Sequence, residues 1–191
     1  MGASLFADSS SQAEIRPEQI YTADSKKNQK YIHEGIILGG DRSMIDIVVK
    51  DIRRAKNSGF ERIVIDLTRT QNGEPTEIKH PPYYQLAVFP DERRFTLSLF
   101  GKPKLDFNPK KVLSTFKHSH VIQKVDLLPR LEDDSWTTSF ELKSDSSVEV
   151  FELSQPTRII IDVKPQKSWD LLRNSCRLYL PNWLECPVYD T

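Results

Sequence analysis

Trp136-Thr-Thr-Ser-Phe140-Glu-Leu142, Val148-Glu-Val-Phe151-Glu-Leu153 and Ser154-Gln-Pro156-Thr-Arg158-Ile-Ile-Ile-Asp162-Val163 follow one another in the second half of a chain of 191 residues. In the first run Trp136, Thr138, Phe140 and Leu142 alternate with more polar neighbours, the period of a half-buried strand. The third run is β-branched and is entered through a proline turn, so the whole segment predicts antiparallel sheet. Its closing phrase has echoes. Arg62-Ile-Val-Ile-Asp66-Leu67 is nearly a twin of Arg158-Ile-Ile-Ile-Asp162-Val163, and Arg94-Phe-Thr-Leu-Ser-Leu99 is a looser third version after its own turn, Pro90-Asp-Glu-Arg93.

Outward from this segment the period stays at two as far back as Phe60. It predicts strands over Arg62 to Thr68, Tyr83 to Phe89, Arg94 to Phe100, Val121 to Leu128, Trp136 to Lys143, Ser147 to Leu153 and Arg158 to Lys164. Turn-forming clusters separate them at Gln71-Asn72-Gly73, Pro90-Asp91, Glu132-Asp133-Asp134, Ser144-Asp145-Ser146 and Gln155-Pro156. The expectation is a mainly β fold, a β-sandwich of about seven strands over residues 60–165. In the connection from Gly101 to His120, the spacing of Val112, Leu113 and Phe116 predicts a helical turn against the sheet.

Residues 1–30 are polar and rich in Ser, Lys and Gln, the composition of a mobile N-terminal arm. Residues 31–59 are expected to form an extension. It begins with a strand from Tyr31 to Leu38 that Gly39-Gly40 ends, followed by one amphipathic helix over about 43–58. Ile45, Val48, Ile52 and Ala55 recur at helical spacing, Ser43 and Asp46 stand as a capping box, and Gly59 marks the stop. The tail, 166–191, carries Trp169, Leu178, Leu180 and Trp183 and is too aromatic to lie free in water. It is expected to pack on the domain or on a partner.

Lys and Arg number 27 and Asp and Glu 27, so the formal charge is zero and nothing drives the chain toward nucleic acid. No apolar run approaches the roughly 20 residues that span a bilayer. Leu5-Phe-Ala7 ahead of a polar run resembles the end of an export signal, which predicts an exported, periplasmic protein. Cys176 and Cys186 are close enough in sequence to form a disulfide in an oxidising compartment, and two free thiols fit equally well.

The stretch from about 60 to 165, above all Val148 to Val163, resembles the AMIN domain. That module accompanies periplasmic N-acetylmuramoyl-L-alanine amidases and secretins of type IV pilus machines. Pro156, Arg158, Asp162 and Val163 occupy the family's places: a proline that ends the turn, an arginine that leads a hydrophobic strand, and an Asp followed by an aliphatic residue. The resemblance implies a small β-sandwich that binds peptidoglycan or positions its host in the envelope. The Arg62 and Arg94 strands do not carry the whole phrase, and no amidase or secretin domain follows in this sequence.

Arg158 and Asp162 stand four apart and share one face of a strand, as do Arg62 and Asp66. Exposed, these faces offer planar donors and acceptors to sugar hydroxyls or stem-peptide carboxylates. Alternatively each arginine pairs with a carboxylate of a neighbouring strand. Arg94 leads the third strand. Tyr83, Tyr84 and Trp136 are aromatic enough to stack on sugar, but alternation sends one of the two tyrosines to the core, and Trp136 with it. His118-Ser-His120 and the acidic turn Glu132-Asp133-Asp134 are the only hint of a metal-dependent hydrolase, and no spacing ties them together. No glycine-flanked serine elbow or phosphate loop is present, and Gly39-Gly40-Asp41 reads as a tight turn. The sequence therefore predicts a non-catalytic envelope module with no cofactor and no metal, bound to peptidoglycan or envelope proteins. A protein–protein adaptor acting through the aromatic tail is the alternative.

Overall fold

A computed structural model of the protein describes residues 17–71, 74–127 and 134–166. In chain order its strands are β1 (Ile20–Thr22), β2 (Gly35–Gly39), β3 (Ile47–Asn57), β4 (Phe60–Gln71), β5 (Glu74–Thr76) and β6 (Tyr84–Phe89). They continue with β7 (Arg94–Phe100), β8 (Lys104–Leu105), β9 (Ile122–Asp126), β10 (Ser135–Leu142), β11 (Ser146–Ser154) and β12 (Thr157–Pro165). One helix, α1 (Pro109–Phe116), lies between β8 and β9. All seven strands expected after Phe60 are present, as β4, β6, β7, β9, β10, β11 and β12. No described helix is long and apolar enough to cross a membrane.

The strands make two sheets. The first runs β1-β2-β6-β7-β10-β9, and the second runs β11-β12-β4-β3-β8 with β5 added beside β4. Period-two alternation gives each sheet an apolar inner face, and the two faces share one core. Ile63, Ile65, Ile159 and Ile161 enter it from the second sheet, and Leu86, Phe95, Leu97, Trp136 and Phe140 from the first, all without solvent exposure. Phe95 and Phe140 are direct cross-strand partners, and their rings stack at 4.7 Å. Each such side chain contributes about 1.5–3 kcal/mol by leaving water.

The helix expected over 43–58 is not there; that stretch is the long strand β3, antiparallel to β4. The register shifts between Val49 and Asp51, so Lys50 is the extra residue of a β-bulge. Across the bulge the core-facing positions pass from Val49 to Ile52, a step of three where a regular strand steps by two. Of the four residues that suggested a helical stripe only Ile52 enters the shared core, and Ile45 and Ala55 are exposed. Ser43 caps no helix: its N–H and hydroxyl both donate to Asp41 Oδ1 at 2.8 Å, while Asp46 is left-handed at φ 57°. Gly59, at φ 82°, turns the β3–β4 hairpin.

The only described α-helix is the turn expected from Val112 and Phe116. Asn108 caps it, accepting from the N–H groups of Lys110 and Lys111 at 3.0 and 3.2 Å. Val112 and Phe116 are buried, but Leu113, expected inward, is 41% exposed. The helix closes the seam between β9 and β3, where Phe116 lies 6.0 Å from the Phe140 ring and Arg54 Nε donates to the Thr115 carbonyl at 2.7 Å.

The opposite seam is closed by residues assigned above to a mobile arm. From Pro17 onward they are tied to the fold. β1 runs parallel to β2, Glu152 N–H donates to the Asp24 carbonyl at 2.8 Å, and Ile32 exchanges two backbone hydrogen bonds with Val148 at 2.8 and 2.7 Å. The free edge of β11 is thereby covered. Residues 31–59 are likewise no appendage, since β2 is an interior strand of the first sheet and β3 of the second. The tail beyond Gln166, with Cys176 and Cys186, lies outside the described residues, as do Glu132 and Asp133.

One inward carboxylate fixes the α1 seam. Glu61, 2% exposed, accepts from the Ser119 hydroxyl at 2.6 Å and from His120 N–H at 2.7 Å, with Arg54 Nη1 3.2 Å away. Burial raises its pKa, but these donors and Arg54 outweigh burial and hold it below the ordinary glutamate value. A depressed folded pKa adds stability above the unfolded pKa, and that stability is lost as pH falls through the folded one. Glu61→Gln is therefore expected to cost about 2–3 kcal/mol near neutral pH. Urea titrations should show the gap from wild type closing as pH falls below the ordinary glutamate range. A gap that widens in acid would contradict this account of Glu61.

Candidate functional site

The twin phrases meet. β4 and β12 are antiparallel, with Arg158 directly opposite Asp66 and Asp162 opposite Arg62. Arg62 Nε and Nη2 donate to the two Asp162 oxygens at 2.7 and 2.8 Å, and Arg158 Nε donates to Asp66 Oδ1 at 2.8 Å. Arg53, from β3, forks onto the same Asp66 at 2.6 and 2.8 Å. These pairs are the cross-strand contacts set out as the alternative above. One of them is not solvated: Asp162 is completely buried, because the N-terminal segment lays Lys27 Nζ on Oδ2 at 2.7 Å. Lys27 itself stands 3.8 Å from the centre of the Phe60 ring, and the Arg62 guanidinium lies 5.5 and 5.3 Å from Phe60 and Phe151. Burial lowers the Lys27 pKa, yet its hydrogen bonds to Asp162 and Tyr31 prevail and raise it overall.

The same segment answers a second buried acid. Glu149, 1% exposed, accepts from the successive N–H groups of Asn28 and Gln29 at 2.8 and 2.6 Å. Gln29 is left-handed at φ 63°, which turns both N–H groups toward one anion. On the outer face of the second sheet the conspicuous carboxylates are thus occupied within the chain.

The first sheet is different. On its outer face Gln85 and Ala87 of β6, Thr96 and Ser98 of β7, and Thr137 and Ser139 of β10 stand in register, half-buried only by their neighbours. Among the described elements, α1 packs against β3 and β9 and leaves this central area uncovered. Ser98 and Thr137 hydroxyls touch at 2.8 Å. Aromatic rings bound the patch at both ends, about 20 Å apart along β7 at the usual strand rise. At one end Tyr83 and Phe100 meet at 5.3 Å; at the other Phe89 lies under the Arg94 guanidinium at 4.5 Å. Arg94 also pairs with Glu92.

Of the residues singled out from sequence, Arg62, Asp66, Arg158 and Asp162 therefore gather on one outer face, and Tyr83 and Arg94 on the other. Tyr84 and Trp136 are core, as alternation requires, both fully buried. Sequence reading passed over Phe89 and Phe100, although alternation with Leu86 and Val88 on one strand and with Phe95 on the other already set them outward. It also passed over Arg42, which has no periodic signal because it sits in a loop. That loop is held hard. Asp41 N–H donates to the Pro81 carbonyl at 2.9 Å, Tyr83 N–H to the Asp41 carbonyl at 3.0 Å, and Asp46 N–H to the Gly101 carbonyl at 2.8 Å. Gly40 and Gly101, at φ 76° and 86°, have no room for a Cβ against Pro82 and Met44. The Arg42 guanidinium consequently rests on the Tyr83 ring at 4.6 Å and divides two cavities, of about 510 and 260 Å³.

His118 and His120 are exposed on the turn after α1, with buried Ser119 between them. Among the described residues no three His, Cys, Asp or Glu side chains converge as metal ligands. No protein-family model matches the chain, and comparison with the curated proteins finds no significant match.

The two Arg/Asp pairs should separate in a denaturation series. Asp162→Asn leaves Arg62 and Lys27 without their shared counterion and is expected to cost about 3–5 kcal/mol. Arg158→Ala opens only a partly exposed pair and is expected to cost less than about 1 kcal/mol. Urea midpoints in the reverse order would refute the division into a buried and a surface pair.

Proposed function

We propose that the chain is a non-catalytic module of the bacterial cell envelope that holds peptidoglycan glycan strands on the outer face of β6, β7 and β10. The observation that carries this reading is the open patch of hydroxyl and amide side chains between two aromatic ends. Serine and threonine hydroxyls both donate and accept, which suits the hydroxyls of a sugar, and the faces of Tyr83, Phe100 and Phe89 suit its C–H surfaces. Strand geometry favours an elongated ligand, because the patch is long along β7 and has no deep cleft. The likeness of residues 60–165 to the AMIN domain supports the same reading. It also favours an exported location, where such glycans are found.

The sheet assigned to binding is the first one, not the Arg/Asp face of the second. Purified sacculi incubated with the protein and sedimented decide the matter. Wild type and Arg158→Ala should be retained alike, while Tyr83→Ala/Phe100→Ala should lose about tenfold or more, the effect of roughly 1.5 kcal/mol of lost ring burial. Both rings are half-buried, so far-UV circular dichroism of the double variant should match wild type. Negligible retention of every protein, or loss confined to Arg158→Ala, would remove this proposal.

A further inference from the structure

Arg42 is set apart by where its guanidinium lies. Arg53, Arg54, Arg62, Arg93, Arg94 and Arg158 each have a carboxylate within ion-pair distance. Among the described residues Arg42 and Arg69 have none, and of these two it is the Arg42 guanidinium that lies on a ring, that of Tyr83. The carboxylate next to it in sequence, Asp41, is turned away and accepts from Ser43 twice. The result is an exposed guanidinium oriented by a ring and by a pinned loop, with no hydrogen-bond acceptor among the described residues.

The cavities on its two sides differ in charge. The larger is lined by two carboxylates, Asp41 and Glu152, beside Arg42 and His80. The smaller is lined by Arg42, Met44, Tyr83, Gln85, Phe100 and Gly101, so Arg42 is its single charged group. Gln85 Nε2 donates to the Tyr83 hydroxyl at 2.9 Å, which leaves the phenol proton free to donate in turn. Arginine fork and phenol proton thus face one space, floored by Phe100 and Met44. These are donors for a carboxylate beside an apolar surface for a sugar ring.

We infer that the 260 Å³ cavity beside Arg42 is a subsite for the carboxylate of an acidic sugar, at the Tyr83 end of the open sheet face. The inference rests on the glycan reading above and specifies it: acid-bearing sugars are preferred over neutral ones of the same ring. Lactyl ethers and uronic acids share this chemistry. The larger cavity, rimmed by Asp41 and Glu152, repels an anion and so steers it to the other side of the Arg42–Tyr83 stack.

Nuclear magnetic resonance titrations of wild type and Arg42→Gln with N-acetylmuramic acid, glucuronic acid and N-acetylglucosamine test this directly. Arg42 is exposed, so the variant should keep the wild-type spectrum away from the loop. In wild type an acidic sugar should shift Tyr83, Gln85 and Met44 resonances with an affinity about tenfold above that of N-acetylglucosamine, the gain from one charge-assisted hydrogen bond. Arg42→Gln should abolish the preference. Response to N-acetylmuramic acid alone assigns the lactyl group, and response to both acids assigns the carboxylate in general; either supports the subsite. Equal affinities for acidic and neutral sugars, a preference that survives Arg42→Gln, or no shift at these residues would each overturn it. Sacculus retention keeps the two levels apart: if wild type is retained while the sugars fail to discriminate, the subsite falls and the sheet platform stands.

Discussion

The antiparallel register of β4 against β12 is the constraint from which the remaining arrangement follows. Both strands read Arg, three branched residues, Asp, so an antiparallel pairing in this register brings each arginine to the other strand's aspartate. A slip of two residues would keep the isoleucines inward but set Asp162 away from Arg62, leaving a buried carboxylate without its bidentate partner. The ion pairs therefore act against the slips that alternation by itself tolerates. Meanwhile Ile63, Ile65, Ile159 and Ile161 are held on the inner face, where the first sheet's rings close over them.

Burying Asp162 completely needs more than Arg62, since a desolvated carboxylate retains unused lone pairs. Lys27 provides the second cation, and it can do so only if the N-terminal segment crosses this face. Once the segment is there, its Asn28 and Gln29 N–H groups meet Glu149, Asp24 and Ile32 pair with β11, and the exposed edge disappears. Satisfying one buried acid thus organises the strap that closes one seam of the sandwich. It also makes the two outer faces unequal. The second sheet's face is spent on its own charges, whereas the first keeps hydroxyls and rings turned to solvent.

Much of this was legible in the chain. Period-two alternation located the strands after Phe60, because half-buried strands print it directly, and it sent Trp136 and one of Tyr83 and Tyr84 inward, which proves to be Tyr84. The Arg/Asp phrases were visible as twins, but their pairing with each other depends on two strands far apart in sequence becoming neighbours. The failure at 43–58 has a local cause: the bulge at Lys50 breaks the period of two, so the core-facing residues are Ile47, Val49 and Ile52, while Ile45 and Ala55 of the apparent helical stripe are exposed. The polar composition of residues 17–30 pointed to an arm because its stabilising contacts are with Asp162 and Glu149, acids it meets only after folding. Arg42 was invisible for a similar reason. Its orientation is set by Tyr83, Pro81 and Gly101, none of which is near it in sequence.

A sheet face and a pinned loop make a particular kind of binding surface. Strand side chains such as Thr96 and Thr137 have little rotamer freedom to lose, and the Arg42 loop is already fixed by Gly40, Asp41 and Gly101, so ligand capture orders few groups. The patch is nevertheless shallow, and each contact it would make with a sugar ring under the proposed function is modest. On a polymer this is no handicap: a module that grips one repeat weakly can rebind the next, and a host carrying several modules multiplies the effect. Discrimination between repeats then has to come from a group that is strongly directional. On the glycan reading proposed above, a stacked arginine next to a phenol donor would supply direction where the hydroxyl patch supplies only tolerance, so that the acid-reading end and the permissive face would work as parts of one site.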